Sequence, residues 1–346
     1  MPYVQRSGEI KVLVVDDSFV YREFMAMGLS ADPSIQVVAT AENPFEARDK
    51  IVQWEPDVMI CDIEMPLMNG IEFISRLLPQ YPIPVIVVST VGEAALEALQ
   101  AGAVEFVAKP AAHRLSDFLA ELIGKVKIAA GANADPGKKG EGAALAGDIR
   151  PSAASSFKVV AIGASTGGTE AISRILHKLP KSFPGIVIVQ HIPAVFSRIF
   201  AERLNDTLPL SVKEAQSGDF IIPGQVLIAP GDRHMEVKRW GQHLQVECYT
   251  GERVNGHCPS IDVMFQSVAA ASGKQAVGVL LTGMGSDGAN GLLAMRKQGA
   301  RTVGQDERTS VVYGIPKVAY EIGAVERQIG LGQIPAALLQ LLAEKE

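Results

Sequence analysis

Two groups of residues in this 346-residue chain have types and spacings suited to chemistry. In the first, Asp16-Asp17 follow the apolar run Val12-Leu13-Val14-Val15, and Asp62 closes Val58-Met59-Ile60-Cys61. Ser89 ends another such run, and Lys109-Pro110 follow Phe106-Val107-Ala108. If these runs are neighbouring parallel strands, three carboxylates meet at one sheet edge and repel unless a cation holds them together. Oxygen ligands of that kind suit Mg²⁺, which also bridges to phosphate oxygens. A lysine opposite them can neutralise an added phosphoryl group, with a serine hydroxyl in hydrogen-bonding range. Taken singly, Asp16 and Asp17 read better as helix caps and Lys109 as a solvated side chain. The joint spacing reverses that preference.

The second group begins at Gly163-Ala164-Ser165-Thr166-Gly167-Gly168, between the strand-like run Lys158–Ile162 and a helical pattern carrying Ala171, Ile172, Ile175 and Leu176. Gly-x-Ser-x-Gly at a strand-to-helix turn exposes a serine Oγ and leaves backbone N–H groups free for an oxyanion. As a lone motif it divides evenly with a glycine-rich cradle for a phosphate or dinucleotide. A nucleophilic serine needs a base. His191 follows the next apolar run, Ile186–Val189, so adjacent strand ends bring Ser165 and His191 within hydrogen-bond reach. His113, His177, His234 and His243 are weaker candidates by position. A third member should be a carboxylate at another strand end. Val277–Leu281 runs into Thr282-Gly283-Met284-Gly285-Ser286-Asp287, and Asp287 there can hold the histidine tautomer. Asp219, Asp232, Asp262 and Asp306 compete on residue type only.

The elements that must position these residues follow from periodicity. Strands are expected at Ile10–Val15, Ile35–Ala41, Asp57–Asp62, Ile83–Ser89 and Val104–Val107, with helices near 18–30, 44–54, 70–79 and 93–101 between them. A last helix carries Leu115, Phe118, Leu119, Leu122, Ile123 and Val126. The rhythm is (βα)₅, an α/β fold with helices on both faces of a parallel sheet. Of residues 129–156, 19 of 28 are Ala, Gly, Ser or Pro, too few large apolar groups to offset ordering, so this segment reads as a flexible linker. Beyond it the alternation resumes with strands near 158–163, 185–190, 277–281 and 301–305, interrupted by a hairpin, Met235–Arg239 and Leu244–Cys248, around Trp240-Gly241-Gln242. The expected organisation is one domain over 1–128, a linker over 129–156, and a doubly wound, mostly parallel α/β domain over 157–346.

Composition removes several function classes. Residues 1–156 carry a net charge of −8 and residues 157–346 one of +2, so neither half has the basic excess of a nucleic-acid binder. No apolar run reaches the ~18 residues of a membrane span, and the N-terminus lacks an export signal, so a cytoplasmic protein is expected. Three cysteines without C-x-x-C spacing read as buried reduced thiols, and His257-Cys258 is discounted as a metal site. An output half of about 190 residues with α/β patterning also argues against a helix-turn-helix module.

The first group, with Asp62 heading Asp62-Ile63-Glu64-Met65-Pro66-Leu67-Met68-Asn69-Gly70, resembles the response-regulator receiver family along its whole length. The resemblance implies phosphorylation of Asp62. It also implies Mg²⁺ on Asp17, Asp62 and the Glu64 carbonyl with Asp16 assisting, switch positions at Ser89, Phe106 and Lys109, and a Lys-Pro bond that is often cis. The second half resembles the chemotaxis protein-glutamate methylesterases through Gly163–Gly168, Gln190-His191-Ile192-Pro193, Ala229–Met235, Gly256-His257-Cys258-Pro259-Ser260-Ile261-Asp262, Leu281–Gly291 and Gly304-Gln305-Asp306-Glu307. That resemblance implies a catalytic Ser165, His191 and Asp287, with Thr166 and Met284 lining the site. It further implies hydrolysis of glutamate methyl esters and deamidation of glutamines on chemoreceptors, with no metal in the ester step. The phosphodonor implied is the chemotaxis histidine kinase, and receiver phosphorylation is expected to relieve docking over the Ser165 cleft. The competing reading is a receiver-linked nucleotide-binding module using Gly163–Gly168, in which His191 has no part.

Overall fold

Strands covered on both faces must be apolar throughout, and Val12–Val15, Val58–Cys61 and Val85–Val88 are buried without interruption. In the computed structural model, which describes residues 9–66, 68–90, 92–110, 115–131 and 159–343, they form the centre of the first unit. Its elements are β1 (Ile10–Val15), α1 (Phe19–Ser30), β2 (Ile35–Ala41), α2 (Pro44–Trp54), β3 (Val58–Asp62), α3 (Gly70–Leu77), β4 (Val85–Ser89), α4 (Gly92–Gln100), β5 (Glu105–Ala108) and α5 (Leu115–Ala129). The sheet is parallel in the order β2-β1-β3-β4-β5. Pairing of Val15 with Cys61 and of Ser89 with Ala108 sets Asp16, Asp62 and Lys109 at one edge. That edge is the switch point between β1 and β3, where such sheets open a crevice. The cap of α1 is Ser18, whose Oγ accepts from Tyr21 N–H, so the capping role open to Asp16 and Asp17 falls to their neighbour.

The second unit contains β6 (Val159–Ala164), α6 (Gly168–Leu176), β7 (Gly185–Gln190), α7 (Ala194–Thr207), β8 (Ser211–Glu214), β9 (Gln225–Ile228), β10 (His234–Trp240), β11 (His243–Tyr249), α8 (Ile261–Ser272), β12 (Ala276–Leu280), α9 (Ala289–Lys297), β13 (Arg301–Gln305), α10 (Ile315–Glu321), β14 (Arg327–Ile329) and α11 (Ile334–Ala343). Seven strands form one parallel sheet, β14-β13-β12-β6-β7-β9-β8. Strand order reverses between β6 and β12. The expected hairpin is present as a separate two-stranded sheet, β10-β11. Three strands were not foreseen: β8, β9 and β14 are only 4, 4 and 3 residues long, too short to show a period against their loops. The chain divides into these two compact units. The expected linker lies outside the described residues except at its start, where α5 runs on to Ala129; His113 and Leu67 also lie outside them.

Helix α8 is the element that matters most for the site. Its apolar residues Ile261, Met264, Phe265 and Val268 share one buried cluster with Val237, Leu244 and Val246 of the hairpin and Leu280 of β12. Ser267 Oγ accepts from Val237 N–H at 2.8 Å and Arg239 reaches the Ala271 carbonyl, so the hairpin is pinned to the helix by polar bonds as well. Phe265 is fully buried. Phe265→Ala is expected to destabilise this unit by about 3–5 kcal/mol, read as a fall in the urea midpoint.

Candidate active site and candidate metal centre

Ser165 and His191 each follow a strand end directly. Ala164 pairs with Gln190 across β6 and β7, and His191 N–H donates to the Ala164 carbonyl at 3.1 Å. The turn after β6 is fixed from both sides: Ser165 N–H donates to Thr282 O at 3.0 Å, and Gly168 N–H donates back to Ser165 O at 2.7 Å. Gly167 sits at φ 76°, where only glycine is unstrained. Gly283 passes so close that a Cβ there would lie 2.5 Å from Ser165 Cβ. Gln190 ties the two candidates together, its Nε2 donating to the Ser165 carbonyl at 2.9 Å and to the His191 carbonyl at 3.1 Å.

Asp287 is 1% exposed and its carboxylate is surrounded by donors. On Oδ2 they are His191 Nε2 at 2.8 Å and Ile261 N–H at 2.7 Å. On Oδ1 they are Ser260 Oγ at 2.7 Å, Asn255 Nδ2 at 2.9 Å and Asp262 N–H at 3.3 Å. Burial alone would raise this carboxyl, but His191, Asn255 and Ser260 together hold it down at about 2. With Nε2 committed to Asp287, the other ring nitrogen, Nδ1, is buried and has no hydrogen-bond partner. The direct Ser165–His191 bond expected from adjacent strand ends is therefore not formed. Asp262, a rival on residue type, is turned to Gly291 N–H and Asn255 instead.

Sequence reasoning missed His257, Asn255, Ser260 and Gln190 as parts of this site. The His257 ring stacks on His191 with centroids 3.7 Å apart and planes within 10°. Burial, then the neighbouring His191 and Arg253, push His257 down to about 4. The signal available was the Asn255-Gly256 pair, a turn former, immediately before His257. His177 is the C-cap of α6, and one smaller expectation is corrected: Cys258 is only half-buried, whereas Cys61 and Cys248 are buried. Met284 is 48% exposed while Thr166 is buried. Among the described residues, neither backbone N–H of that pair is taken up by an acceptor.

The carboxylate group of the first unit is likewise assembled. One oxygen each from Asp16, Asp17 and Asp62 lies within 4.8 Å of the others, with Asp17 exposed and the other two buried. Lys109 Nζ hydrogen-bonds Asp62 Oδ2 at 2.7 Å and lies 3.0 Å from Asp16 Oδ2, which itself lacks a well-directed donor. Three carboxylates answered by one lysine, with one buried oxygen in no well-directed hydrogen bond, fit a divalent cation. Burial raises Asp62, outweighing the lysine; burial pulls Lys109 down, but Asp62 and Asp16 more than compensate and hold it above its ordinary value. Glu64 stands beyond Asp62, its N–H donating to Asp62 Oδ1 at 3.3 Å and its carboxylate accepting from Thr90 Oγ at 3.0 Å. Ser89 lies at the end of β4, its carbonyl accepting from Lys109 N–H at 2.9 Å; Phe106 is buried on β5 under Lys125. Tyr21, not foreseen, places its ring 5.0 Å from Lys109 Nζ. The Lys109–Pro110 bond is trans, since the one cis bond among the described residues is Cys258–Pro259.

These features define a class: a receiver-type sheet with an acidic pocket, followed by a doubly wound domain with a serine and a His–Asp pair at its switch point. Comparison with known proteins narrows it. Residues 160–338 match the CheB methylesterase family and residues 12–119 the response regulator receiver domain. A protein-glutamate methylesterase/protein-glutamine glutaminase 2 of Syntrophomonas wolfei is 55% identical over 340 residues, covering 97% of this chain and 99% of that one. A protein of the same name from Pseudomonas aeruginosa is 45% identical, with 97% and 98% covered. The crystal structure of the Thermotoga maritima CheB methylesterase catalytic domain superposes with a TM-score of 0.52 at 36% identity, covering 54% of this chain and 98% of that one. The chain belongs to the CheB methylesterase family.

The depressed His257 has a pH consequence. An unfolded histidine takes its proton near 6.5, whereas folded His257 takes one only near 4. Its contribution to stability is therefore full above about pH 6.5 and is lost as pH falls towards 4. Replacing His257 with Phe should make the urea midpoint less sensitive to pH between 7 and 4.5 than that of the wild type.

Proposed function

We propose that this chain hydrolyses glutamate γ-methyl esters on chemoreceptors, and deamidates receptor glutamines, through Ser165, His191 and Asp287. The observation that carries the reading is the His191 Nε2–Asp287 Oδ2 bond of 2.8 Å beside Ser165, with His191 Nδ1 left without a partner. Asp287 fixes the tautomer with hydrogen on Nε2 and so presents the Nδ1 lone pair as the base. Ser165 Oγ attacks the ester carbonyl as Nδ1 takes its proton, and the Thr166 and Met284 N–H groups receive the developing oxyanion. The tetrahedral species collapses, methanol leaves with the proton from His191, and a glutamyl ester on Ser165 remains. Water, deprotonated in turn by His191, then releases the glutamate side chain and restores the serine. With an amide, ammonia takes the place of methanol. A nucleotide cradle at Gly163–Gly168 has no use for a histidine bonded to a buried carboxylate.

Phosphorylation of Asp62 by the chemotaxis histidine kinase is the proposed control. Asp17, Asp62 and the Glu64 carbonyl, with Asp16 beside them, would hold Mg²⁺, which when bound supplies charge neutralisation between the carboxylates and the incoming phosphoryl oxygens. Lys109 and Ser89 would contact the phosphoryl group, and Phe106 would respond on β5. Both sites would act in the cytoplasm.

The test is methanol release from methylated receptor membranes, with and without Mg²⁺ and a small-molecule phosphodonor. Ser165→Ala should eliminate release while still taking up phosphate, and His191→Ala should cost at least ~10²-fold. Release that persists in Ser165→Ala would overturn the assignment. Asp62→Ala should take up no phosphate, and its methanol release should not rise with phosphodonor; a response to phosphodonor in that variant would sink the proposed control.

A further inference from the structure

His257 has no part in the hydrolysis set out above, yet it covers the base. The contact is built by the local fold. Val254 and His257 exchange both backbone hydrogen bonds, each 3.0 Å, across a turn whose central residues Asn255 and Gly256 sit at φ 53° and 82°. Two successive positive φ values are what a type I′ turn requires, and Asn-Gly is its favoured pair. The turn is anchored at the site itself, because Asn255 Nδ2 bridges Asp262 Oδ2 at 2.8 Å and Asp287 Oδ1 at 2.9 Å. Four residues thus hold the carboxylate and also lay a flat ring against the imidazole bonded to it.

A single hydrogen bond fixes a distance and leaves a plane free. With Nε2 held on Asp287, the His191 ring can still turn about its soft outer torsion and carry Nδ1 out of line. A second ring 3.7 Å away and nearly parallel blocks that rotation and keeps water from one face. We infer that His257 is a positioning residue for ester hydrolysis, its ring fixing the plane of His191 so that Nδ1 is held for Ser165. The inference rests on the assignment of Ser165, His191 and Asp287 in the preceding subsection. The charge state of His257 agrees with it: burial, His191 and Arg253 lower it to about 4 against the pull of Asp287, so His191 takes the serine proton facing a neutral ring.

The experiment uses the full-length protein with Mg²⁺ and phosphodonor on methylated receptor membranes, comparing wild type, His257→Ala and His257→Phe. Loss of the flat face in His257→Ala should lower kcat roughly 10- to 100-fold with KM unchanged, and His257→Phe should stay within about 3-fold of wild type. In ¹⁵N-histidine spectra His191 should keep the Nε2–H tautomer set by Asp287 in all three proteins, with its ring resonances broadened in His257→Ala alone as the ring turns. If His257→Ala loses its circular dichroism, His257→Leu, of similar volume without a flat face, replaces it. Wild-type kcat in the Ala or Leu variant overturns the inference, as does a folded His257→Phe that is as slow as they are. Absence of serine-dependent release from wild type overturns instead the hydrolase reading, and the inference with it.

Discussion

A carboxylate removed from water must be met by protein donors or give up its charge, and Asp287 is met by five. They arrive from separate parts of the chain: His191 beyond β7, Asn255 and Ser260 in one loop, and the backbone of Ile261 and Asp262 at the start of α8. The helix N-terminus adds its own positive end to the same place. For Ile261 N–H to reach Asp287, α8 must press against the ends of β6 and β12. That demand explains two glycines, since a Cβ on Gly163 or Gly288 would lie 2.3 or 2.5 Å from Ile261 Cγ2. It also explains why α8 is so firmly keyed to the hairpin: a helix that drifted would leave a buried charge short of donors, which costs far more than any single bond is worth.

The same crowding creates a second problem. Asp262 is buried beside Asp287, and two carboxylates in one pocket cannot both ionise freely. The pair divides: donors hold Asp287 low, while burial, with the charge of Asp287 adding to it, raises Asp262 against its bonds to Gly291 and Asn255. Asn255 spans the two with one amide nitrogen, so the residue that separates the carboxylates also starts the turn that carries His257. Charge division and ring stacking are consequences of one short loop.

Both units put their acidic groups at a switch point of a parallel sheet, with opposite electrostatic solutions. Asp287 is enclosed and satisfied by neutral or polar donors. Asp16 and Asp62 are shared by one lysine, Asp17 remains exposed, and one buried oxygen of Asp16 lacks a directed donor. The first arrangement is closed and suits a permanent charge that orients a neighbour. The second leaves three carboxylates answered by a single lysine, so its negative charge is only partly balanced by the protein.

Most of the fold was legible because buried parallel strands are long, continuous and β-branched. The strands β8, β9 and β14 were not, since three or four residues at or near a sheet edge carry no period. Ser165, His191 and Asp287 were legible for a related reason: each closes or closely follows a strand, and parallel topology converts that position into proximity. His257 belongs to no strand and sits 66 residues beyond His191 in the chain. What brings it there is a pair of positive φ angles and a side-chain amide between two buried carboxylates, neither visible until the carboxylates themselves have been placed. Groups placed at or just beyond strand ends can be read from spacing, whereas groups packed against them from a loop require the folded site.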